Sequence, residues 1–171
     1  MFPQHGASAA ELLKTADIAL YAGKERNRGG VLPFQATMRA DLQKRSSMIS
    51  VARDAARDHR IVPYYQPKIS LQDGVVRGFE ALLRWRHPTL GVQVPGTIAA
   101  AFEDLELATG ISERMLAQIV DDMRRWLDDG VEFGRIAVNL SPAESRHESL
   151  VSRTLERLHL SGIAFQQPVR P

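Results

Sequence analysis

A stretch of alternating side chains, residues 75–86, most constrains how this chain folds. Successive side chains of a strand point to opposite faces, so the stretch predicts one β-strand with two unlike faces. One face holds Phe79, Ala81, Leu83 and Trp85, and the other holds Gly78, Glu80, Leu82, Arg84 and Arg86. Two interpretations stay open: a half-exposed strand with its charged face in water, or a strand buried on both sides whose inner face lines a polar site.

The segments around this strand predict an α/β architecture. Residues 61–69 form a strand that Pro63 and Pro67 favour at a sheet edge, and a Gln72-Asp73-Gly74 turn makes the two strands a hairpin. Four further elements are expected downstream. They are a helix capped by Thr97 and broken at Thr109-Gly110, a helix from Ser112 to Asp129 closed by Gly130, a buried strand from Arg135 to Leu140, and a helix from the Ser145-Arg146-His147-Glu148 capping box to Ser161-Gly162.

Two helices are predicted before residue 61. Ser8-Ala9-Ala10-Glu11 fits a capping box, and apolar residues at helical spacing follow it until Asn27-Arg28-Gly29-Gly30. Residues 35–59 carry only a narrow apolar stripe between charged positions, a pattern typical of a connector helix. That stripe is formed by Met38, Leu42, Ile49, Ala52 and Ala56.

Composition excludes several classes of function. The 171 residues include no cysteine, which excludes a disulfide framework, a zinc finger and a thiol nucleophile. No window approaches the roughly 18 apolar residues of a membrane span, and residues 1–6 lack the features of a secretory signal, so we expect a cytoplasmic protein. The formal net charge is only +2, and acidic residues interrupt the basic stretch at residues 35–60, so a nucleic-acid polymer is not the expected partner.

Glu80 and Asn139 are the candidate metal ligands. Asn139 shares a face of the third strand with Ala137 and Ser141, and Glu80 lies on the mixed face of the second, so the two can point into one cavity. A carboxylate and an amide oxygen suit Mg²⁺ or Mn²⁺, although an octahedral ion needs further ligands. Arg84 can pair with a phosphate through its planar fork, and the alternative is an internal Glu80–Arg84 ion pair.

Four motifs carry a resemblance to a known family. They are Tyr65-Gln66-Pro67, the run from Gly78 to Pro88, Gly91 with Pro95, and Val138-Asn139-Leu140-Ser141. In this order they resemble the first part of the EAL domain family, the cyclic di-GMP phosphodiesterases with a TIM-like (β/α)8 barrel. The resemblance implies that Glu80 and Asn139 hold Mg²⁺ or Mn²⁺ and that Arg84 binds a phosphate of cyclic di-GMP. It also implies that Gln66, Leu82 and Pro95 line the ligand groove.

The N-terminal residues carry a second resemblance. Leu12-Leu13, the run from Ala16 to Tyr21, Lys24 and Phe34 resemble the closing segment of a GGDEF (diguanylate cyclase) domain. The two resemblances together imply a remnant of GGDEF at 1–34, a linker helix at 35–58, the N-terminal part of an EAL barrel at 59–165 and a non-homologous tail at 166–171.

The expected activity follows from the parts of a full EAL barrel that have no counterpart in the resemblance. A full (β/α)8 barrel needs roughly 250 residues, and no acidic residue follows Gly162. We therefore expect a tandem GGDEF–EAL chain truncated at both ends and catalytically inactive as it stands. Three alternatives stay open. They are a regulatory module that binds cyclic di-GMP weakly or pairs with a copy or another EAL domain through an open sheet edge, a phosphodiesterase completed by another chain, and an unstable remnant without function.

Overall fold

The computed structural model describes residues 4–25, 30–139 and 148–163. The chain forms two compact units, Met1–Ser47 and Met48–Pro171, and each is described by itself. The first unit contains α1 (Ala9–Glu25) and the beginning of α2 (Ala36–Arg57). The second contains the rest of α2, then β1 (Ile61–Ile69), β2 (Val76–His87), β3 (Gly91–Gln93), a 3₁₀ helix (Pro95–Glu103), α3 (Leu105–Asp128), β4 (Arg135–Val138) and α4 (Glu148–Leu160).

The predicted capping box opens helix α1. The Ser8 hydroxyl accepts a hydrogen bond from the backbone N–H of Glu11 at 3.2 Å. The Glu11 carboxylate accepts from the backbone N–H of Ala7 at 2.6 Å, one residue before the position that a standard capping box uses. Two free amides at the start of the helix are therefore paired.

The core of the first unit combines residues of α1, of α2 and of the segment between them. It consists of Ile18, Ala19 and Met38, with Ala22, Leu32, Phe34 and Leu42 packed against them. Leu13 and Leu20 are instead 67% and 59% exposed. Helix α1 therefore buries Ile18 and Ala19 and leaves Leu13 and Leu20 on its outer face.

The sheet of the second unit is centred on β2. Strand β1 pairs with it antiparallel along one edge, with Ile61 opposite Trp85. Along the other edge, β3 pairs antiparallel near the C-terminal end of β2, and β4 pairs parallel near its N-terminal end. In the described part of the sheet β1 is therefore an edge strand, as its prolines predicted.

Gly78 allows β2 and β4 to pair at close range. Its φ of +157° is a backbone conformation that L side chains rarely adopt, and a Cβ at this position would collide with the carbonyl oxygen of Arg135. Glycine is thus required at this position for both conformational and steric reasons.

The core of the second unit lies on the apolar face of β2. Its fully or nearly fully buried members are Ala52, Ala55, Ile61, Ala81, Trp85, Ile98, Ala101, Ile111, Met115 and Ile119. The half-exposed interpretation of β2 is confirmed, because Ala81 and Trp85 are 1% and 2% exposed while the side chain of Glu80 is 32% exposed. The helix predicted at 35–59 is also confirmed, but Ala52 and Ala55 make its C-terminal half a core helix and not a solvated connector.

One prediction about helix boundaries is wrong. Helix α3 runs without interruption through Thr109 and Gly110, where a break was expected. It begins instead at Leu105, after the N-cap residue Asp104, whose side chain accepts a hydrogen bond from the N–H of Leu107 at 3.0 Å. The Thr109 hydroxyl donates to the carbonyl of Leu105 at 2.7 Å, so it bonds back into its own helix and leaves the helix intact.

Thr97 also has a different role from the one predicted. It lies inside the 3₁₀ helix and caps no α-helix. Its hydroxyl donates to the carbonyl of Val94 at 2.7 Å and accepts from the indole N–H of Trp85 at 2.8 Å. Thr97 therefore fastens the 3₁₀ helix to the apolar face of β2.

The C-terminal elements agree with the sequence in part. The strand predicted over Arg135–Leu140 is described over Arg135–Val138, and it is half-exposed where a buried strand was expected. Gly162 has a φ of +68° two positions after the end of α4 at Leu160, as a C-terminal glycine should. Leu140, the capping-box residues 145–147 and the tail 164–171 lie outside the described residues. Within the described ranges, no helix combines the length and the apolar character needed to cross a bilayer.

Candidate functional site

The candidate site is the mixed face of the sheet, which we call the Glu80 face. It is formed by Tyr64, Gln66 and Lys68 of β1, by Glu80, Leu82 and Arg84 of β2, and by Ala137 and Asn139 at the end of β4. The register explains its membership, because residues directly opposite each other on paired strands share a face. Gln66 and Ala137 lie opposite Glu80 on its two sides.

Glu80 and Asn139 are brought together as the alternation pattern predicted. Asn139 follows the register partner of Glu80 by two positions, so it returns to the same face just beyond the end of β4. Its amide nitrogen donates to Glu80 Oε1 at 2.7 Å. A carboxylate and an amide from strands far apart in sequence therefore converge, and their role as metal ligands stays a prediction.

Lys68 is a member of this face that the sequence analysis missed. Its Nζ lies 3.7 Å from Glu80 Oε2, and its side chain is 51% exposed. The signal was present, because Lys68 is two positions from Gln66 and therefore shares its face. The β1–β2 register was needed to show that Lys68 stands next to Glu80, opposite Gly78.

The other predicted residues divide into two groups. Gln66 is exposed directly beside Glu80, and Leu82 is half-buried opposite Tyr64. The half-buried Arg84 donates from Nη1 to the backbone carbonyl of Leu83 at 2.8 Å, so the internal Glu80–Arg84 pair considered above does not form in the described structure. Pro95 is not in the sheet but is the first residue of the 3₁₀ helix, which is attached to the opposite face of β2.

The residues present fit part of a divalent-cation site. Glu80 and Asn139 supply a carboxylate and an amide, the oxygen donors that Mg²⁺ and Mn²⁺ prefer. The described residues contain no cluster of three or more His, Asp or Glu that could hold an ion by themselves. Water molecules and phosphate oxygens would have to complete an octahedral sphere, which is the usual arrangement for Mg²⁺ with a phosphate ligand.

A buried polar network supports the Glu80 face from behind. Asp122 of α3 is 8% exposed and accepts hydrogen bonds from the Tyr65 hydroxyl at 2.7 Å and from Gln118 Nε2 at 3.0 Å, and Arg125 pairs with it as well. Burial, followed by the bond to Asp122, raises the pKa of Tyr65 well above its ordinary value. This network joins β1 to α3 at the residue directly before Gln66.

The sequence offered one signal for this network. Asp122 continues the apolar stripe of α3 formed by Met115 and Ile119, so a carboxylate stands where an apolar residue is expected. A buried carboxylate requires partners, and Tyr65 supplies one of them from a strand 57 positions earlier in the chain.

Comparisons with known proteins identify the family. The profile of the EAL domain family matches residues 28–167. The bifunctional diguanylate cyclase/cyclic di-GMP phosphodiesterase MucR of Pseudomonas aeruginosa is 36% identical over 151 residues, which are 88% of this chain and 22% of MucR. The cyclic di-GMP phosphodiesterase NbdA of the same organism is 31% identical over 164 residues, 96% of this chain and 20% of NbdA. The chain thus spans about a fifth of these relatives.

Solved structures agree with the profile. A MucR phosphodiesterase in complex with cyclic di-GMP is 35% identical, with a TM-score of 0.62, over 68% of this chain and 47% of that one. The EAL domain of FimX from Xanthomonas citri, also solved with cyclic di-GMP, has a TM-score of 0.61 at 20% identity over 73% of this chain and 48% of that one, and it supports the α/β fold alone. On the profile match and the sequence identities, this chain belongs to the EAL domain family.

Proposed function

We propose that the 171-residue chain binds cyclic di-GMP on the Glu80 face with the help of a divalent cation and does not hydrolyse it as a separate chain. The observation that carries the proposal is the 2.7 Å hydrogen bond from the Asn139 amide nitrogen to Glu80 Oε1, which brings together a carboxylate and an amide whose oxygens suit a hard cation. Arg84 lies on the same face, and the solved complex of a MucR phosphodiesterase with cyclic di-GMP supports this ligand.

Each side chain of the face has a task in this proposal. Glu80 and Asn139 would hold the cation, which supplies charge neutralisation for a phosphate. Arg84 keeps guanidinium N–H groups beyond the one bonded to Leu83, and these can form charge-assisted hydrogen bonds to a phosphate oxygen. Leu82 offers an apolar contact, and Gln66 offers an amide beside the carboxylate.

The proposed lack of hydrolysis rests on the number of carboxylates at the site. Phosphodiester cleavage by water needs a metal-activated nucleophile, and two-metal sites need carboxylates for both ions. Glu80 is the single carboxylate on the described Glu80 face. One carboxylate and one amide can position a cation and a phosphate, but they leave no second acidic group to hold another ion or to accept the proton of the attacking water.

Calorimetry with cyclic di-GMP and Mg²⁺, together with chromatography of the products, tests the proposal. We expect heat of binding, no linear product, and an affinity at least about tenfold lower for Arg84→Ala, since a charge-assisted bond is lost. Arg53→Ala is the matched control, because it removes the same charge from an exposed position of α2, whose Ala52 and Ala55 pack on the opposite face of the sheet.

Three outcomes would contradict it. Absence of heat with the wild-type chain would reject binding. Equal affinities for the Arg84 and Arg53 variants would reject the assignment to the Glu80 face. Metal-dependent turnover that Glu80→Ala abolishes would show that the chain is an active phosphodiesterase.

We also propose a partner that completes the sheet, and the hydrogen-bond pattern favours one edge for it. The N–H of Arg86 donates to the carbonyl of Arg60 at 2.9 Å, so the even-numbered residues of β1 and β2 direct their backbone groups toward each other. Pro63 and Pro67 then lie at outward-facing positions, where they offer no N–H to another strand. A partner strand, from a copy or from another EAL domain, would therefore pair along β4 in preference to β1.

Light scattering on the chain alone, and activity after mixing with a complementary EAL chain, test this partner proposal. A monodisperse monomer that gains no phosphodiesterase activity on mixing would reject it.

The tandem arrangement is a further part of the proposal. Residues 1–34 would be the closing segment of a GGDEF domain and residues 35–58 its link to the EAL domain at 59–165. The similarity to MucR, a bifunctional diguanylate cyclase and phosphodiesterase that aligns with 88% of this chain, supports that arrangement.

A further inference from the structure

The ammonium of Lys68 lies beside the carboxylate of Glu80, the candidate metal ligand. Its nitrogen lies 3.7 Å from Glu80 Oε2, while the amide nitrogen of Asn139 donates to Oε1 at 2.7 Å. Both oxygens of the carboxylate thus face positively polarised groups. Lysine is a compact point charge on a flexible four-carbon stem, so it can follow the carboxylate or leave it at low cost.

Among the described residues, Lys68 has no other acidic partner on this face. Its register partner is Gly78, which has no side chain, and the residue across Gly78 on β4 is the basic Arg135. Glu80 is the only acid among the described members of the Glu80 face. Whatever cation neutralises that carboxylate, the ammonium of Lys68 competes with it directly.

We propose that Lys68 is a built-in competitor for the divalent cation at Glu80. The ammonium neutralises the carboxylate when no ion is bound, and it must leave Oε2 before Mg²⁺ or Mn²⁺ binds there. This inference rests on the proposed role of Glu80 as a metal ligand. It makes Lys68 a residue that sets the metal affinity of the site without being a ligand.

The expected size of the effect follows from distance and exposure. A unit charge a few ångströms from a divalent ion opposes binding strongly in a dry interior but only modestly where water screens it. The side chains of Lys68 and Glu80 are 51% and 32% exposed, so the screened limit applies. We expect removal of the ammonium to tighten Mn²⁺ binding about fivefold.

Electron paramagnetic resonance of free Mn²⁺ measures this affinity without any assay of activity. The wild-type chain is titrated beside Lys68→Met, which keeps the length of the stem, and Lys68→Arg, which keeps the charge. Lys44→Met is the control for net charge, since Lys44 is an exposed lysine of the first unit. Glu80→Gln, introduced into the Lys68→Met chain, tests whether the ion is bound at Glu80.

We expect Lys68→Met alone to bind Mn²⁺ about fivefold more tightly, with Lys68→Arg and Lys44→Met close to wild type and the gain abolished by Glu80→Gln. Equal affinities for Lys68→Met and Lys44→Met, a gain that survives Glu80→Gln, or no binding by Lys68→Met would each overturn the inference. Calorimetry with cyclic di-GMP is a separate measurement. Heat of binding by the wild-type chain would support the proposed function even if the Mn²⁺ titrations contradicted the competition by Lys68.

Discussion

The hydrogen bond from Tyr65 to Asp122 is the most informative one to remove, because it joins the strand that carries Gln66 to helix α3. The bond is 2.7 Å long, and the acceptor is a carboxylate with 8% exposure. We choose Tyr65→Phe as the perturbation. Phenylalanine keeps the ring and its edge-to-face contact with Trp126, whose centroid lies 4.7 Å away.

The expected loss of stability follows from the partners that Asp122 retains in the variant. In the variant it still accepts from Gln118 and pairs with Arg125, so no buried charge is left without partners. The loss is therefore that of one hydrogen bond to a charged group, which is typically worth about 1.5 to 3 kcal/mol. Because Tyr65 is only half-buried, we expect the lower end, about 1.5 kcal/mol of unfolding free energy.

Urea unfolding followed by tryptophan fluorescence is the assay. Both tryptophans of the chain, Trp85 and Trp126, lie in the second unit, so the signal reports the unfolding of that unit. Tyr64→Phe is the control, since it removes the same atom from the neighbouring residue, whose hydroxyl has no hydrogen-bond partner among the described residues. Indistinguishable midpoints for the Tyr65 and Tyr64 variants would refute the assignment of stability to this bond.

The pH dependence gives a second test of the same bond. Burial and the bond to Asp122 raise the pKa of Tyr65 in the folded state. A raised pKa means that the folded state holds the phenolic proton more tightly. Its contribution to stability is then fully present below the ordinary tyrosine pKa of about 10 and is lost as the pH rises above it. The free-energy difference between wild type and Tyr65→Phe should stay constant from pH 7 to 9 and shrink above pH 10.

Two further predictions concern glycines and the hairpin turn. Gly78→Ala should lower the free energy of unfolding by more than about 3 kcal/mol, because its Cβ would meet the carbonyl of Arg135. Gly110→Ala, in open space within α3, should raise it by about 0.5 to 1 kcal/mol. Equal urea midpoints for the two variants would contradict both expectations. The Ser70 hydroxyl, and then the N–H of Val75, hold the pKa of Asp73 below its ordinary value, so the turn should lose stability as the pH falls below about 4, and Asp73→Ala should remove that acid dependence of the urea midpoint.

The hairpin and its faces could be predicted from the sequence because they depend on local rules. Alternation with a period of two identifies β2, and the prolines of β1 place that strand at an edge. The predicted break at Thr109-Gly110 is absent because the stabilisation from tertiary packing exceeds the local cost of a glycine in a helix. A glycine inside a helix costs about 1 kcal/mol, but Ala108 and Ile111 on either side are fully buried, and burial of an isoleucine alone is worth more than that cost.

Strand β3 was missed, and the helix predicted from Thr97 has another form, for a different reason. Strand β3 has three residues, too few to show any period, and it exists because it pairs with Trp85, Arg86 and His87. The 3₁₀ helix that follows is held by the bond between Trp85 and Thr97. Strand β3 and the 3₁₀ form of the helix depend on contacts with β2, so the sequence indicates a helix from Thr97 but neither its 3₁₀ form nor the strand before it.

In the candidate site, the alternation of side chains along each strand could be predicted, whereas the register between strands could not. Glu80 and Asn139 could be paired from the sequence, because it is enough that each lies on the polar face of its own strand. Lys68 could not be placed, since its contact with Glu80 depends on how β1 is aligned with β2, and a shift of one residue would send the lysine to the apolar face. The register of β1 against β2 therefore determines that the ammonium of Lys68 lies beside Glu80. This alignment depends on the bulge between Lys68 and Ile69, which lies directly next to the contact.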